Sequence, residues 1–201
     1  LLSTIHSEEH LETLAGIAGQ DKAVLYDSDT YALPASYRIA RLAVGSVIAV
    51  TDAVMEGAHQ GVAAVRPPGH HATGERAMGF CLLNNIALGA EHTLRHHQAK
   101  RVAIVDYDVH HGNGTQDIFY QRDDVLFVSM HQSPFYPGTG SAREIGEGQG
   151  KGYTLNVPLP QGVGDRGYAQ VMDDIVLPAL QRFQPELILV SAGFDAHWMD
   201  P

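Results

Sequence analysis

Cysteine is nearly absent from these 201 residues, with Cys81 standing alone. One cysteine cannot close an internal disulfide, so no disulfide framework is expected and a reducing compartment suits the chain. Long apolar runs are also missing. No stretch approaches the roughly 20 residues needed to span a bilayer, and the Leu1-Leu2 start lacks the apolar region of a signal peptide. No membrane association and a cytoplasmic location are therefore expected. Basic residues are few, 13 Lys and Arg against 23 Asp and Glu, and they form no run that could follow a phosphate backbone. Direct nucleic-acid binding is not expected. The net charge of −10 first of all favours solubility, and it can also steer a cationic partner. The remaining composition, 44% hydrophobic and 18% charged, is that of a globular chain. With no repeat, low-complexity tract or linker, residues 1–201 read as one domain with a sizeable core.

The hydrophobic pattern alternates between helices and strands. Ser7 to Ala18 has helical periodicity through Leu11, Leu14 and Ile17, with Glu8, Glu9 and Glu12 placed early, where the helix dipole favours them. Ser36 to Ala58 reads as a long, mostly buried helix, and Leu82 to His97 as another. Gly61 to Val65 reads as a short strand stopped by Pro67-Pro68. Arg101 to Asp106, Val125 to Met130 and Leu187 to Ser191 are continuous apolar runs, the pattern of strands buried on both faces of a parallel sheet. Tyr153 to Val157 reads as a further strand at an edge. Helices are expected near Thr115–Tyr120 and over Asp165–Phe183, with Asp165 as N-cap and Pro178 kinking or ending the second. The alternation predicts an α/β fold, three-layered, with a mostly parallel, doubly wound sheet and helices on both faces.

Ligands in such sheets bind beyond the carboxyl ends of the strands. The polar clusters follow that rule: His70-His71 after Val65, Asp106, Asp108 and His110 after the strand from Arg101, His131 after Met130, and Asp195 after Ser191. In an extended backbone Asp106, Asp108 and His110 would share one face. Asp and His are suitable zinc ligands, and a catalytic zinc takes three of them plus an open position. Asp108, His110 and Asp195 can supply that set. Alone, Asp-x-Asp-x-His is equally well a polar strand end with capping duties. The tandem His70-His71 would point in different directions in a regular backbone and would need separate partners, Asp106 being the carboxylate at hand and Asn113 the neutral amide. Among the remaining histidines, His96-His97 lie at a helix end where cations are favoured, and His6, His10, His59 and His92 read as solvated. Phe80 and Phe135-Tyr136 sit in glycine-containing loops and can line a slot for an aliphatic chain, or simply pack there. Cys81 reads as a buried structural residue. The glycines at 112, 114, 138 and 140 fit no nucleotide-binding fingerprint.

The segments RPPGHHA (66–72), GFCLLNN (79–85), VDYDVHHGNGTQDIFY (105–120), YPGTG (136–140), LNVPLP (155–160) and SAGFDAH (191–197), taken together, resemble the histone deacetylase family of zinc amidohydrolases, which includes bacterial acetylpolyamine amidohydrolases and acetoin-utilisation proteins. Asn113 and the PPGHH and GFC forms are similar to its class II branch. The resemblance implies an arginase/deacetylase-like fold and zinc-dependent hydrolysis of an acetylated lysine peptide or acetylated polyamine to free amine and acetate. It implies Asp108, His110 and Asp195 as zinc ligands and His70 and His71 as the catalytic pair, with Asp106 supporting His70 and Asn113 beside His71. Gly79, Phe80 and Tyr136 match the substrate tunnel. Structural potassium is implied at two sites. One would use Asp106, Asp108, the His110 backbone, Ser129 and the Met130 carbonyl, and the other carbonyls around Phe119, Arg122, Val125 and Tyr153. The family's glycine-rich loop with a transition-state tyrosine or histidine, and its N-terminal substrate loop, find no match in residues 1–201, so the chain is expected to be a partial catalytic domain. Two other readings are carried: an arginase-like binuclear manganese hydrolase, which would need aspartates where His111 and Asn113 stand, and a non-catalytic acyl-lysine or metal-binding module. Oligomerisation is left open.

Overall fold

The computed structural model describes residues 1–200, which form two compact units, the first Leu1–Gln98 and the second from Ala99 onward. In the first unit, helix α1 spans Glu8–Gly16 and is started by Ser7, whose hydroxyl accepts the His10 N–H. A short antiparallel ribbon, β1 (Val24–Leu25) and β2 (Tyr31–Ala32), precedes the long helix α2, Ser36–Met55. Helix α3, Asn85–His96, is capped by Asn84, whose side chain accepts the Ala87 N–H at 3.1 Å. The core of this unit gathers Leu14, Ile17, Ala40, Val44, Leu83 and Leu88.

Three expectations for this unit are corrected. Helix α2 is not mostly buried: Ala40, Ala43, Val44 and Thr51 form a narrow inward stripe of small residues, while Ile39 and Leu42 are exposed. Gly61 to Val65 is not a strand. It pairs with nothing among the described residues and Val62 is 87% exposed, so its apolar character is not matched by a hydrogen-bonding neighbour. His6 and His10 are not solvated but buried. His6 Nδ1 faces the Thr73 carbonyl at 3.0 Å and its Nε2 accepts the Asn84 N–H at 3.0 Å, which fixes one neutral tautomer. His10 Nε2 meets the Leu82 carbonyl at 2.9 Å. These two rings tie the N-terminal segment to residues 72–84, helped by the Ser7 N–H donating to Gly74 O.

The second unit is built on a four-stranded parallel sheet in the order β5-β4-β3-β6. Its strands are β3 (Val102–Asp106), β4 (Val125–Gln132), β5 (Thr154–Leu159) and β6 (Leu187–Ser191). Helix α4, Asn113–Phe119, connects β3 to β4, and the segment from α5 (Asp165–Val171) to α6 (Leu177–Phe183) connects β5 to β6. This is the α/β class expected. Ala103, Val105, Leu126, Val128 and Met130 line one sheet face and pack against Val176, Leu180 and Phe183. The alternate residues Val102, Ile104, Val125 and Phe127 are fully buried on the other.

Details of the last crossover and strand differ from expectation. The α5 N-cap is Gly164, with Asp165 inside the first turn, where its charge still meets the helix dipole favourably. Pro178 neither ends nor sharply breaks the helical path. A π-helical stretch, Met172–Val176, lies just before it, and α6 starts with the proline in its first turn. The wider π turn accommodates a residue that has no N–H to give. β6 is an edge strand, so Ile188 and Val190 are half exposed rather than buried on both faces.

Burial of the imidazolium form, with repulsion from His10 next, holds the His6 pKa at about 4, below its ordinary 6.5. Between those values the unfolded chain binds a proton that the folded one refuses, so stability is lost as the pH falls from 6.5 to 4 and levels off below. The linked loss is roughly 3 kcal/mol. Thermal unfolding followed across this window should show the melting temperature of the wild type falling more steeply than that of His6→Gln. The variant should be less stable at pH 7. Equal slopes would refute the linkage.

Candidate metal centre

The register of the sheet sets the position of this site. Asp106 on β3 pairs with Ser129 on β4 and with Ser191 on β6, so β3 and β6 finish flush while β4 runs on to Gln132. The segments that follow β3 and β6 leave from one rim, as expected for a parallel sheet. Asp108, His110 and Asp195 are brought together there, with one donor atom from each lying within 4.8 Å of the others. All three are partly buried.

Their convergence does not come from an extended strand. β3 ends at Asp106, and residues 108–110 are bent. A relay of carboxylate-capped turns replaces the alternation: the Asp108 N–H donates to Asp106 Oδ1 at 3.2 Å, and the His110 N–H to Asp108 Oδ1 at 2.8 Å. The Val109 N–H reaches across to Asp195 Oδ1 at 3.2 Å. Each carboxylate therefore shapes the loop with one oxygen. His110 Nδ1 lies 3.0 Å from Asp108 Oδ1 and 2.9 Å from Asp195 Oδ2.

The electrostatics follow from these distances. Contact with Asp108, then with Asp195, lifts His110 to a pKa of about 9 against the cost of burial. Burial by itself would raise the Asp195 carboxyl, but the hydrogen bonds from His110 and the Val109 amide outweigh it and hold the group at about 2. The site is thus a proton held between two carboxylates. A cation that binds there takes the place of that proton. The donor set, two carboxylate oxygens and one imidazole nitrogen, fits zinc, whose bonds to both are about 2.0–2.2 Å.

Aromatic rings border the centre. Phe135 stacks on the His110 ring at 4.9 Å and 17°, and Tyr136 stands edge-on to it at 6.0 Å. A cavity of about 540 Å³ opens beside them, lined among others by His110, Phe135, Tyr168 and Asp195. That volume suits a small ligand. Tyr168 was not singled out from the sequence, because it sits in α5 outside every motif. Burial, then the charges of Asp195 and Asp108, raise its hydroxyl pKa. Among the residues expected at the potassium sites, Ser129 is fully buried and hydrogen-bonds His131 Nδ1 at 2.9 Å, and Met130, Phe119 and Val125 are buried with it in this unit.

In the first unit, His70 and His71 are the central residues of a turn closed by the Ala72 N–H on Gly69 O at 3.1 Å. The backbone there is not regular, and the two rings lie side by side instead of diverging, 4.0 Å apart at 43°. Both are buried. Gly79 has a φ of +54°, and a Cβ added to it would overlap the His71 ring. It is thus the close approach of His71, beyond any contact with substrate, that demands glycine here. Phe80 follows with a φ of +65° and a half-exposed ring. The loop is held by Asp27 and Thr30, which accept the Gly79 and Phe80 N–H groups.

Gly193 plays a similar role in the second unit: a Cβ there would overlap the Asp108 side chain, from its Cβ to its carboxylate. Gly193→Ala should displace that carboxylate and weaken metal binding at least about tenfold while the chain stays folded. Calorimetric zinc titration together with circular dichroism measures both, and unchanged affinity would contradict the predicted crowding.

Comparison with known proteins agrees with this geometry. The family model described as "Histone deacetylase domain" matches residues 1–201. The chain is 48% identical to the histone deacetylase-like amidohydrolase of Pseudomonas aeruginosa, matching all of this chain and 53% of that protein. It is 44% identical to a probable deacetylase of Archaeoglobus fulgidus, matching 98% of this chain and 54% of that one. Among solved structures, the HD domain of HDA15 superposes with a TM-score of 0.94 at 45% identity, over 100% of this chain and 57% of the other. The acetylpolyamine aminohydrolase of Burkholderia pseudomallei superposes with a TM-score of 0.93 at 33% identity, over 100% and 67%. The chain spans about half the length of these curated relatives. It belongs to the histone deacetylase domain family.

Proposed function

We propose that the chain provides the metal-binding part of a zinc-dependent hydrolase that cleaves N-acetyl amides, releasing acetate and a free amine. The observation that carries this reading is the meeting of Asp108, His110 and Asp195 at the rim of a parallel sheet, beside an aromatic-bordered cavity. The names of the relatives, deacetylase and acetylpolyamine aminohydrolase, point to acetylated amines as the substrate class. An acetyl-lysine peptide or an acetylated polyamine fits an acidic chain of net charge −10 that would attract a cationic body.

When bound at this set, zinc supplies Lewis acidity toward the amide carbonyl and lowers the pKa of water. The protein's own groups do the rest. His71 takes the proton of the attacking water and returns it to the leaving amine. His70 supplies electrostatic stabilisation of the negative charge that develops on the carbonyl oxygen. Phe80, Phe135 and Tyr136 offer apolar faces to the methylenes of the substrate, with Gly79 leaving room for the His71 ring. Structural potassium, at Asp106, Asp108, the His110 backbone, Ser129 and the Met130 carbonyl, and at carbonyls around Phe119, Arg122, Val125 and Tyr153, belongs to the same reading.

In the full-length gene product, His71→Ala should lower acetate release from an acetyl-lysine peptide or acetylspermidine by about 10²–10⁴-fold with zinc retained. Asp195→Ala should lose the metal of this centre and the activity together. Metal analysis alongside acetate assay distinguishes the two. Deacetylation that survives His71→Ala would sink the assignment of the base. Binding of acetylated peptide with no acetate release would favour a non-catalytic reader.

A further inference from the structure

A second group of ligating side chains lies in the first unit, within the α2 and α3 segments. Asp52 is in the last turns of α2, His92 and His96 are one turn apart on α3, and His97 follows at the end of that helix. The i, i+4 spacing places His92 and His96 on one helix face, and their rings stack at 4.8 Å and 16°. His97 stands edge-on to both, at 5.6 Å and 5.1 Å. Asp52 Oδ1 lies 2.6 Å from His92 Nε2 and 2.7 Å from His97 Nε2. One ligand atom from each of the four residues lies within 4.8 Å of all the others.

Solvated histidines at a helix end would explain one or two of these rings but not their arrangement. Two stacked imidazoles, a third edge-on to both and one carboxylate gather four donor atoms in one place. Imidazole and carboxylate together are the donors of a transition-metal site. His92 and His97 are mostly buried, and only His96 is exposed, so three ligands are set in place and the fourth is free to swing in. A tetrahedral ion with bonds of 2.0–2.1 Å needs ligand atoms about 3.3 Å apart. Asp52 is already closer than that to His92 and His97, at 2.6 and 2.7 Å, and every donor pair lies within 4.8 Å, so side-chain rotation can close the shell.

We propose that Asp52, His92, His96 and His97 form a structural site for a divalent first-row transition ion such as zinc, which staples the end of α2 to the end of α3. Four protein ligands close a tetrahedral shell and leave no position for water or substrate, which marks a structural rather than a catalytic ion. Hydrogen bonds from His97 and then His92 hold the Asp52 carboxyl below its ordinary range, so the ligand is ionised at neutral pH. No residue of the set is shared with Asp108, His110 and Asp195, so the proposal stands or falls independently of the deacetylase reading.

The test uses chelator-stripped protein, zinc titration calorimetry and metal analysis after dialysis. The wild type is expected to take up two equivalents and His92→Ala/His97→Ala one. In a His110→Ala/Asp195→Ala background, one equivalent should remain and should raise the melting temperature by about 4 °C or more. Asp52→Asn in that background should abolish both effects. Should the background variant fail to fold, the stoichiometry of wild type against His92→Ala/His97→Ala decides by itself. Equal zinc uptake by those two proteins overturns the site and leaves a hydrogen-bonded histidine cluster.

Discussion

Flush parallel pairing is the constraint on which the second unit depends. Asp106, Ser129 and Ser191 are held in one row because β3 pairs with β4 and β6 in a register that ends β3 and β6 together. The loops that carry Asp108, His110 and Asp195 start from that row and are a few residues long, so they have little freedom to place their carboxylates elsewhere. A one-residue slip of β6 against β3 would turn every β6 side chain to the other face. The metal centre is in this sense a product of the sheet, with the apolar packing of Val105 and Val128 on Val176 and Phe183 keeping the register in place.

At the rim, the carboxylates have two duties. Asp195 divides the two duties between its oxygens, Oδ1 closing on the Val109 N–H and Oδ2 facing His110, whereas Oδ1 of Asp108 meets both the backbone N–H and the ring of His110. The cost of gathering two carboxylates in a partly buried place is offset by the proton on His110, and would be offset further by a divalent ion. Glycine at 193 is what allows the Asp108 side chain to lie where it does. The same economy of space operates in the first unit, where Gly79 leaves room for the His71 ring. There the supporting framework is polar: His6 and His10 are buried as neutral rings and anchor the N-terminal segment to the loop that follows His70-His71.

Much of this was legible in the chain. Three apolar runs, at 101–106, 125–130 and 187–191, signal parallel strands because a strand covered on both faces is apolar along nearly all its length. The zinc-type ligand set was legible too, since Asp108, His110 and Asp195 each follow such a run. Less legible were the places where neighbours decide. Val62 and its apolar companions form no strand because no edge pairs with them. Ile188 and Val190 are exposed because β6 is at an edge of the sheet. His6 and His10 look like ordinary surface histidines in sequence, and only the carbonyls of Thr73 and Leu82, far along the chain, show that they are buried.

Composition, periodicity and ordered motifs by themselves determined the α/β class, the order of the strands along the chain and the residue types able to hold a metal. These are local properties, set by side-chain chemistry and by the period of two or of 3.6. Tertiary structure alone decided the strand order in space and the turn that sets His70 beside His71. It also decided the bends that turn Asp108 and His110 toward Asp195, and the meeting of Asp52 with three histidines some 40 residues away in sequence. Each of those depends on contacts between distant segments, whose geometry no spacing within one segment encodes.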